Sequence, residues 1–544
     1  MNSRVMNLGR LLSDTARRLP EHTALVWGDR RWTWGQTAAR VDALVAALRD
    51  RGLGKGDAIL VQAKNSNQMF ESLWAAFTLG AIWVPTNYRL TPPEVAYLAS
   101  SSGAKAMICD DAFAQHADTA RAASAALEHR IAIGTPRNGE LAYEDLIDAG
   151  SGAVVGAAEV DPAEVDRDDP CWFFYTSGTT GRPKAAVLTH GQLAFVTNNH
   201  LADLMPGTTE EDASLVVAPL SHGAGVHVLS QVARGARSVL PSGERFDEAE
   251  IWRLVEAERI TNMFTVPTIL TRMVRHPAVD RVDHSSLRYV IYAGAPMYRA
   301  DQKQALEKLG KVIVQYYGLG EVTGNITVLP RELHSLDDDA MPIGSCGYAR
   351  TGMEIAIKDA TGKRLPAGEQ GEICVRGPAV FAGYHDNPEA NAKALKDGWF
   401  HTGDLGRLDA QGFLYITGRA SDMYISGGSN VYPREAEELL LAHPAVAEVA
   451  VLGVPDPEWG ETGVAVVVLQ QGQAATAEEL LALLKDKLAR YKQPRRVFFW
   501  DELPKSGYGK VPKHLIRKEL YARGDLIQPG APLQERLPAA SADN

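Results

Sequence analysis

The stretch YTSGTTGRPK, residues 175–184, gathers Thr176, Ser177, Thr179, Thr180 and Lys184 around two glycines, Gly178 and Gly181. Glycine lets a backbone curl, and hydroxyls, backbone N–H groups and an ammonium are all donors, so the segment suits a polyanion such as a phosphate chain. It departs from the P-loop pattern G-x-x-x-x-G-K-[ST], because Lys184 stands three residues after Gly181 and is followed by Ala185. A solvated turn is the other reading its residues allow. Its flanks are the apolar runs 171–174 and 185–188, and the choice between the two readings falls to other stretches of the chain.

Outward from this loop the pattern is that of an α/β body. As far as about residue 340, helical stretches such as 36–52 alternate with short apolar runs such as 58–61 and 289–292. Between about 345 and 418, Gly and Pro punctuate short β-rich segments, 372–375 and 413–416 among them, which predicts a small β-barrel-like unit. After Gly418 the pattern restarts. Pro433 marks a helix start, 446–454 reads as a strand, and Thr476 with Glu479 forms a capping box ahead of Leu480, Leu484 and Leu488. The expected organisation is a large N-terminal domain of packed α/β subdomains over 1–418, a small mobile α+β domain over 419–525, and a Pro- and Ala-rich tail over 526–544.

Composition agrees with a multidomain globular chain. Its 544 residues exceed one typical core, and 45% apolar with 23% charged residues is ordinary for such proteins. The net charge of -11 argues against a nucleic-acid surface and for small-molecule chemistry. Cys109, Cys171, Cys346 and Cys374 form no CxxC pair, which predicts buried, reduced thiols. No apolar run reaches the ~20 residues of a membrane span and no secretory segment is evident, so the cytoplasm is the expected location. Leu8, Leu11 and Leu12 read as the apolar side of a first helix.

Six further stretches carry chemistry: PLSHGAG (219–225), YAGAP (292–296), YYGLGE (316–321), HTGDLG (401–406), YITGRASDMYISGGSNVYP (415–433) and LPKSGYGK (503–510). In this order and spacing, with the opening loop, they resemble the adenylate-forming superfamily, and most closely its AMP-forming acyl-CoA synthetases, from about residue 10 to 520. The resemblance implies that the opening loop holds the β- and γ-phosphates of ATP.

It also implies roles for single residues. Glu321 would be the Mg²⁺-associated carboxylate, a hard oxygen ligand suited to a metal that bridges phosphates. Tyr317 and Gly318 would face the adenine, with the backbone of Gly294, Ala295 and Pro296 close to the base. Asp404 would accept from both ribose hydroxyls, and Arg419, with Ile416 in the same nucleotide set, would contact ribose or phosphate. Lys510 would reach the attacking carboxylate and the α-phosphate during adenylation. Thr176, Lys184 and His222 join it in the catalytic set. In the second half-reaction Ser426, Gly427 and Gly428 would line the thiol's tunnel, after a swing of the C-terminal domain about a hinge near Ser421. Trp459 and Tyr491 would offer flat faces, and Lys492, Arg495 and Arg496 cations, to the nucleotide of coenzyme A. His222, Val226, His227, Gln231, Phe264, Val266, Tyr316 and Leu319 would surround the acyl group.

Each of these residues also has an ordinary reading: a packed Tyr317, a turn Asp404, an ion-paired Arg419, a solvated Lys510, core histidines at 222 and 227. Three positions depart from the family's usual pattern. Gly320 replaces a hydroxyl residue before the glutamate, Ser421 replaces Asp or Lys at the hinge, and Ser506-Gly507-Tyr508 precedes Gly509-Lys510. Two other functions fit less well. An amino-acid adenylating enzyme would need an acid for the substrate's ammonium, and residues 219–234 contain none. A non-catalytic nucleotide sensor would be expected to lack Lys510 or Glu321. The expected reaction is ATP-dependent formation of an acyl adenylate, then transfer to CoA, with transfer to a carrier protein as the alternative. The expected partners are ATP, Mg²⁺, coenzyme A and a medium-chain, aryl or other small acid, and a homodimer is the one assembly considered.

Overall fold

The computed structural model describes residues 6–154, 160–176, 182–243, 245–295, 297–419, 422–426, 429–485, 487–505 and 511–526. The chain divides into two compact units. The first takes in residues up to Ala356 with Cys374–Thr402 and Asp409–Leu414; the second takes in Ile357–Ile373, Gly403–Leu408 and the chain from Tyr415 on.

Two large sheets organise the first unit. The nine-stranded one has a parallel interior, running from Ile313–Tyr317 through Tyr289–Tyr292, Asn262–Thr265, Ala213–Leu215 and Arg237–Leu240 to Thr23–Trp27. Antiparallel strands close both edges. The seven-stranded sheet is parallel up to Pro170–Thr176, which then pairs antiparallel with Lys184–Thr189. Buried parallel strands are apolar on both faces, which is why 58–61 and 289–292 read as unbroken hydrophobic runs. The two strands of the opening loop are therefore a hairpin on the rim of this sheet. Its register sets Thr176 directly across from Lys184.

Helix ends follow the local sequence. The helix expected at 36–52 is Trp34–Arg49, started by a Thr33–Gln36 capping box. The first helix is Arg10–Arg18, with Leu12 buried. The β-rich section contains strands Glu354–Lys358, Gly371–Arg376, Trp399–Leu408 and Leu414–Arg419.

In the second unit, Val446–Asp456 and Gly460–Leu469 form a long hairpin, joined in parallel by Arg496–Phe499. Side chains alternate across a strand, so this sheet has two apolar faces. Leu452, Val454, Val464 and Val466 pack with Ile516 and Leu520 of the helix Lys513–Ala522. Val449, Val451, Ala465 and Val467 pack with Ala436, Leu440, Leu480 and Leu484. Pro433 stands at the start of its helix, and the Thr476–Glu479 capping box is formed. That helix ends at Ala482, short of Leu488; three-residue turns at Leu484, Lys485 and Lys487 continue it and keep Leu484 in the core. All four cysteines are buried, and none is in a disulfide. Among the described residues no helix is long and apolar enough to cross a membrane.

Candidate active site

The hairpin register brings the two ends of the phosphate loop together, and a third element meets them. Glu321 sits on a short turn, Gly320–Val322, at the end of the strand Ile313–Tyr317, and only 6% of it is exposed. Thr176 donates from Oγ1 to Glu321 Oε1 at 3.0 Å. Tyr384, which sequence reading missed, donates its hydroxyl to the same oxygen at 3.0 Å. The ring of Tyr384 lies under the Lys184 ammonium, 5.2 Å from Nζ. Burial, then the adjacent Glu321 carboxylate, drive the phenol's pKa well above its ordinary range, so the group stays protonated and donates.

These residues fit a divalent cation. The described residues offer Glu321 no basic partner, and its Oε2 has no hydrogen-bond partner among them. A carboxylate oxygen is the donor that Mg²⁺ prefers. The loop residues Ser177, Gly178, Thr179, Thr180 and Gly181 lie outside the described residues, as do Pro296, Gly427, Gly428 and Lys510.

Gly320 has a steric reason. A Cβ there would stand 2.6 Å from Phe174 Cδ1 and 2.9 Å from Thr176 Cγ2, so the missing hydroxyl residue is the result of close packing. Phe174 in turn meets the His222 ring edge-on, with centroids 5.6 Å apart. His222 precedes the helix Gly223–Arg234, and its Nδ1 lies 2.8 Å from Ser221 Oγ. Tyr317 is half-buried and ends its strand, while Gly294 and Ala295 are exposed just after Tyr289–Tyr292.

Four of the residues expected around the acyl group, His227, Gln231, Phe264 and Tyr316, are joined by direct contacts. A Cβ on Gly223 would lie 2.7 Å from Phe264, so the helix start rests directly on that ring. Phe264 stacks on Tyr316, centroids 5.8 Å apart at 18°. His227 and Gln231, one turn apart, are fully enclosed with Asn262, a second residue missed from sequence. His227 Nε2 lies 2.9 Å from Asn262 Oδ1, and Asn262 Nδ2 donates to Gln231 Oε1 at 3.2 Å. Burial pushes His227 down to about 4, which keeps it neutral. Val226 is buried beside it, and Val266 and Leu319 are half-buried.

In the second unit Asp404 is buried, with Arg419 Nε 3.2 Å away. Ile416 accepts at its carbonyl from Arg434 Nη1 at 3.1 Å, and Ser426 is buried opposite Gly460. The residues expected to meet CoA have partners of their own. Arg495 lies over the Trp459 ring, 5.2 Å from its centroid, and 3.8 Å from Asp456, while Lys492 pairs with Glu435 at 2.7 Å. Tyr491 is exposed.

Comparison with known proteins identifies the family. A family model described as AMP-binding enzyme matches residues 12–385, and one described as AMP-binding enzyme C-terminal domain matches 435–510. Feruloyl-CoA synthase of an Amycolatopsis species is 38% identical over 507 residues, 92% of this chain and 97% of its own. Indoleacetate–CoA ligase of Aromatoleum aromaticum is 35% identical over 524 residues, 96% of this chain and 100% of its own. ATP-bound MatB from Rhodopseudomonas palustris, a solved structure, has a TM-score of 0.82 at 31% identity and covers 95% of this chain and 99% of that one. With a family match over more than half its length and such relatives along nearly all of it, the chain belongs to the AMP-binding enzymes, in the branch of AMP-forming acyl-CoA synthetases, acid–thiol ligases that pass through an acyl adenylate.

Proposed function

We propose that the acid activated is aromatic or arylaliphatic, and that the work is divided as follows. Residues 176–184 hold the β- and γ-phosphates, and Glu321 holds the Mg²⁺ that neutralises their charge. Asp404 and Arg419 hold the ribose, while Tyr317, Gly318 and residues 294–296 face the adenine. The substrate carboxylate attacks the α-phosphorus and pyrophosphate leaves, with Lys510 stabilising the charge that develops. The CoA thiolate then attacks the acyl carbon, and AMP leaves. Positioning and charge stabilisation carry both steps, with no side-chain nucleophile.

The observation that carries this reading is the Glu321–Thr176 hydrogen bond, which joins an acid to the end of the phosphate loop across 145 residues of sequence. The aromatic preference draws support from the Phe264–Tyr316 stack and from relatives named for feruloyl and indoleacetate substrates. Trp459, Tyr491, Lys492 and Arg495 are assigned to the CoA nucleotide. Arg495 already covers one face of Trp459, so the adenine is assigned to the other.

The test is AMP and acyl-CoA release from a panel of hydroxycinnamic, arylacetic, benzoic and medium-chain acids. Aromatic acids should exceed medium-chain ones in kcat/KM by about tenfold or more, the scale on which a matched pocket discriminates. A medium-chain preference would reject the aromatic assignment, and transfer to a carrier protein but not CoA would reject the acceptor. In Lys510→Ala, adenylate formation should be lost while supplied acyl adenylate is still converted to thioester. Equal loss of both steps would reject the role given to Lys510.

A further inference from the structure

Tyr384 lies outside every stretch that marks the reaction, yet its side chain touches both charged ends of the phosphate site. Its hydroxyl bonds Glu321 Oε1 at 3.0 Å, and its ring carries the Lys184 ammonium 5.2 Å from the centroid. We infer that Tyr384 is a positioning residue for adenylation: it holds Oε1 of Glu321, leaves Oε2 as the metal-binding oxygen, and sets the spacing between that acid and Lys184. The inference rests on Glu321 as the metal-associated carboxylate.

The reasoning starts from the glutamate itself. The terminal torsion of a Glu side chain is broad and roughly two-fold, so an unrestrained carboxylate presents either oxygen at a range of angles. Mg²⁺ demands near-ideal octahedral geometry, which a swivelling ligand serves poorly. Two hydroxyls on one oxygen, from Thr176 and Tyr384, remove that freedom.

The segment carrying Tyr384 is built to hold it still. Residues 382–385 run beside the strand Lys184–Thr189, with bonds between Val187 and Gly383, Val187 and Ala382, and Ala185 and His385. Tyr384 bridges to Ala186. Asn391, in the helix Pro388–Ala394, clamps the Tyr384 backbone from both sides: its Oδ1 accepts from the Tyr384 N–H at 2.6 Å and its Nδ2 donates to the Tyr384 carbonyl at 2.9 Å. Phe381 N–H donates to the Glu321 carbonyl at 2.8 Å. One segment therefore fixes the backbone and side chain of Glu321 together with the strand that starts at Lys184. Packing alone would need only the ring, which meets Phe381 edge-on at 4.8 Å. The hydroxyl is what the inference adds.

Tyr384→Phe keeps the ring and deletes the hydroxyl. Mn²⁺ is titrated into each full-length protein with a non-hydrolysable ATP analogue, and free Mn²⁺ is read by paramagnetic resonance. Tyr384→Phe should raise the apparent metal dissociation constant roughly tenfold, as expected for one hydrogen bond to a charged group, and raise the Mg²⁺ needed for pyrophosphate exchange to match. KM for the acid and conversion of supplied acyl adenylate should stay as in the parent. Asn391→Ala should move the metal constant in the same direction by about threefold, since it loosens the clamp but spares the hydroxyl, and it decides the question if Tyr384→Phe does not fold. An unchanged metal constant overturns the inference, as does a shift matched by equal losses for acid and CoA. If the parent protein makes no adenylate from any acid, the proposed function fails, and the Mn²⁺ titration still reads Tyr384.

Discussion

Gly320 carries a steric constraint at a single position beside the Glu321 carboxylate. Any Cβ there meets Phe174 and Thr176 closer than carbon atoms normally approach. Phe174 borders His222, and Thr176 bonds Glu321, so neither can yield without moving the site. Gly320→Thr, which restores the family's commoner hydroxyl residue, should therefore lower stability by about 1–3 kcal/mol, the usual range for overpacking. It should also slow pyrophosphate exchange. Parent-like thermal midpoint and exchange rate together would show that the pocket relaxes around the new side chain.

At the scale of elements, Arg350 ties the edge of the nine-stranded sheet to a helix end. It follows the strand Tyr348–Ala349, is fully buried, and places Nε 3.6 Å from Asp203, the last residue of the helix His190–Asp203. Asp203 also accepts from the backbone N–H and the hydroxyl of Thr351, at 2.9 and 2.8 Å. Burial lowers the guanidinium to about 10, and its Nε and Nη1 lack hydrogen-bond partners. Breaking such a pair from one side leaves a buried charge behind, whereas an apolar replacement of similar volume can be nearly neutral. Arg350→Ala should lose about 3–5 kcal/mol in urea unfolding, and Arg350→Met much less. Equal losses for both would mean that the charge contributes nothing beyond its volume.

For the whole molecule, buried histidines set the acid limit of stability. His190, His227 and His334 are each pushed down to about 4, with burial as the leading cause. Their folded pKa values lie below the ordinary 6.5, so the unfolded chain binds protons more readily. The stability they contribute is complete above about pH 6.5 and is lost as pH falls through about 4. The thermal midpoint should be level near pH 7–8 and decline from about 6.5 downward, with His190, His227 and His334 taking up roughly three extra protons on unfolding near pH 5 and the buried His200, also lowered, adding to them. A level midpoint down to pH 5 would show that these imidazoles titrate normally.

What the sequence determined by itself is what short segments encode. Motifs such as residues 175–184 and YYGLGE are contiguous, so the family could be read from them where they stand. Helix starts at Pro433 and Thr476 were legible for the same reason, since caps act within one turn. Only the tertiary structure decided which distant residues complete the site. Tyr384 lies 63 residues beyond Glu321, and Asn262 is 35 beyond His227; no local pattern announces either, because each owes its role to the register of another strand. The Arg495–Trp459 contact and the crowding at Gly320 are likewise matters of distance in space, set when strands and helices pack, and a list of residue types holds no such distances.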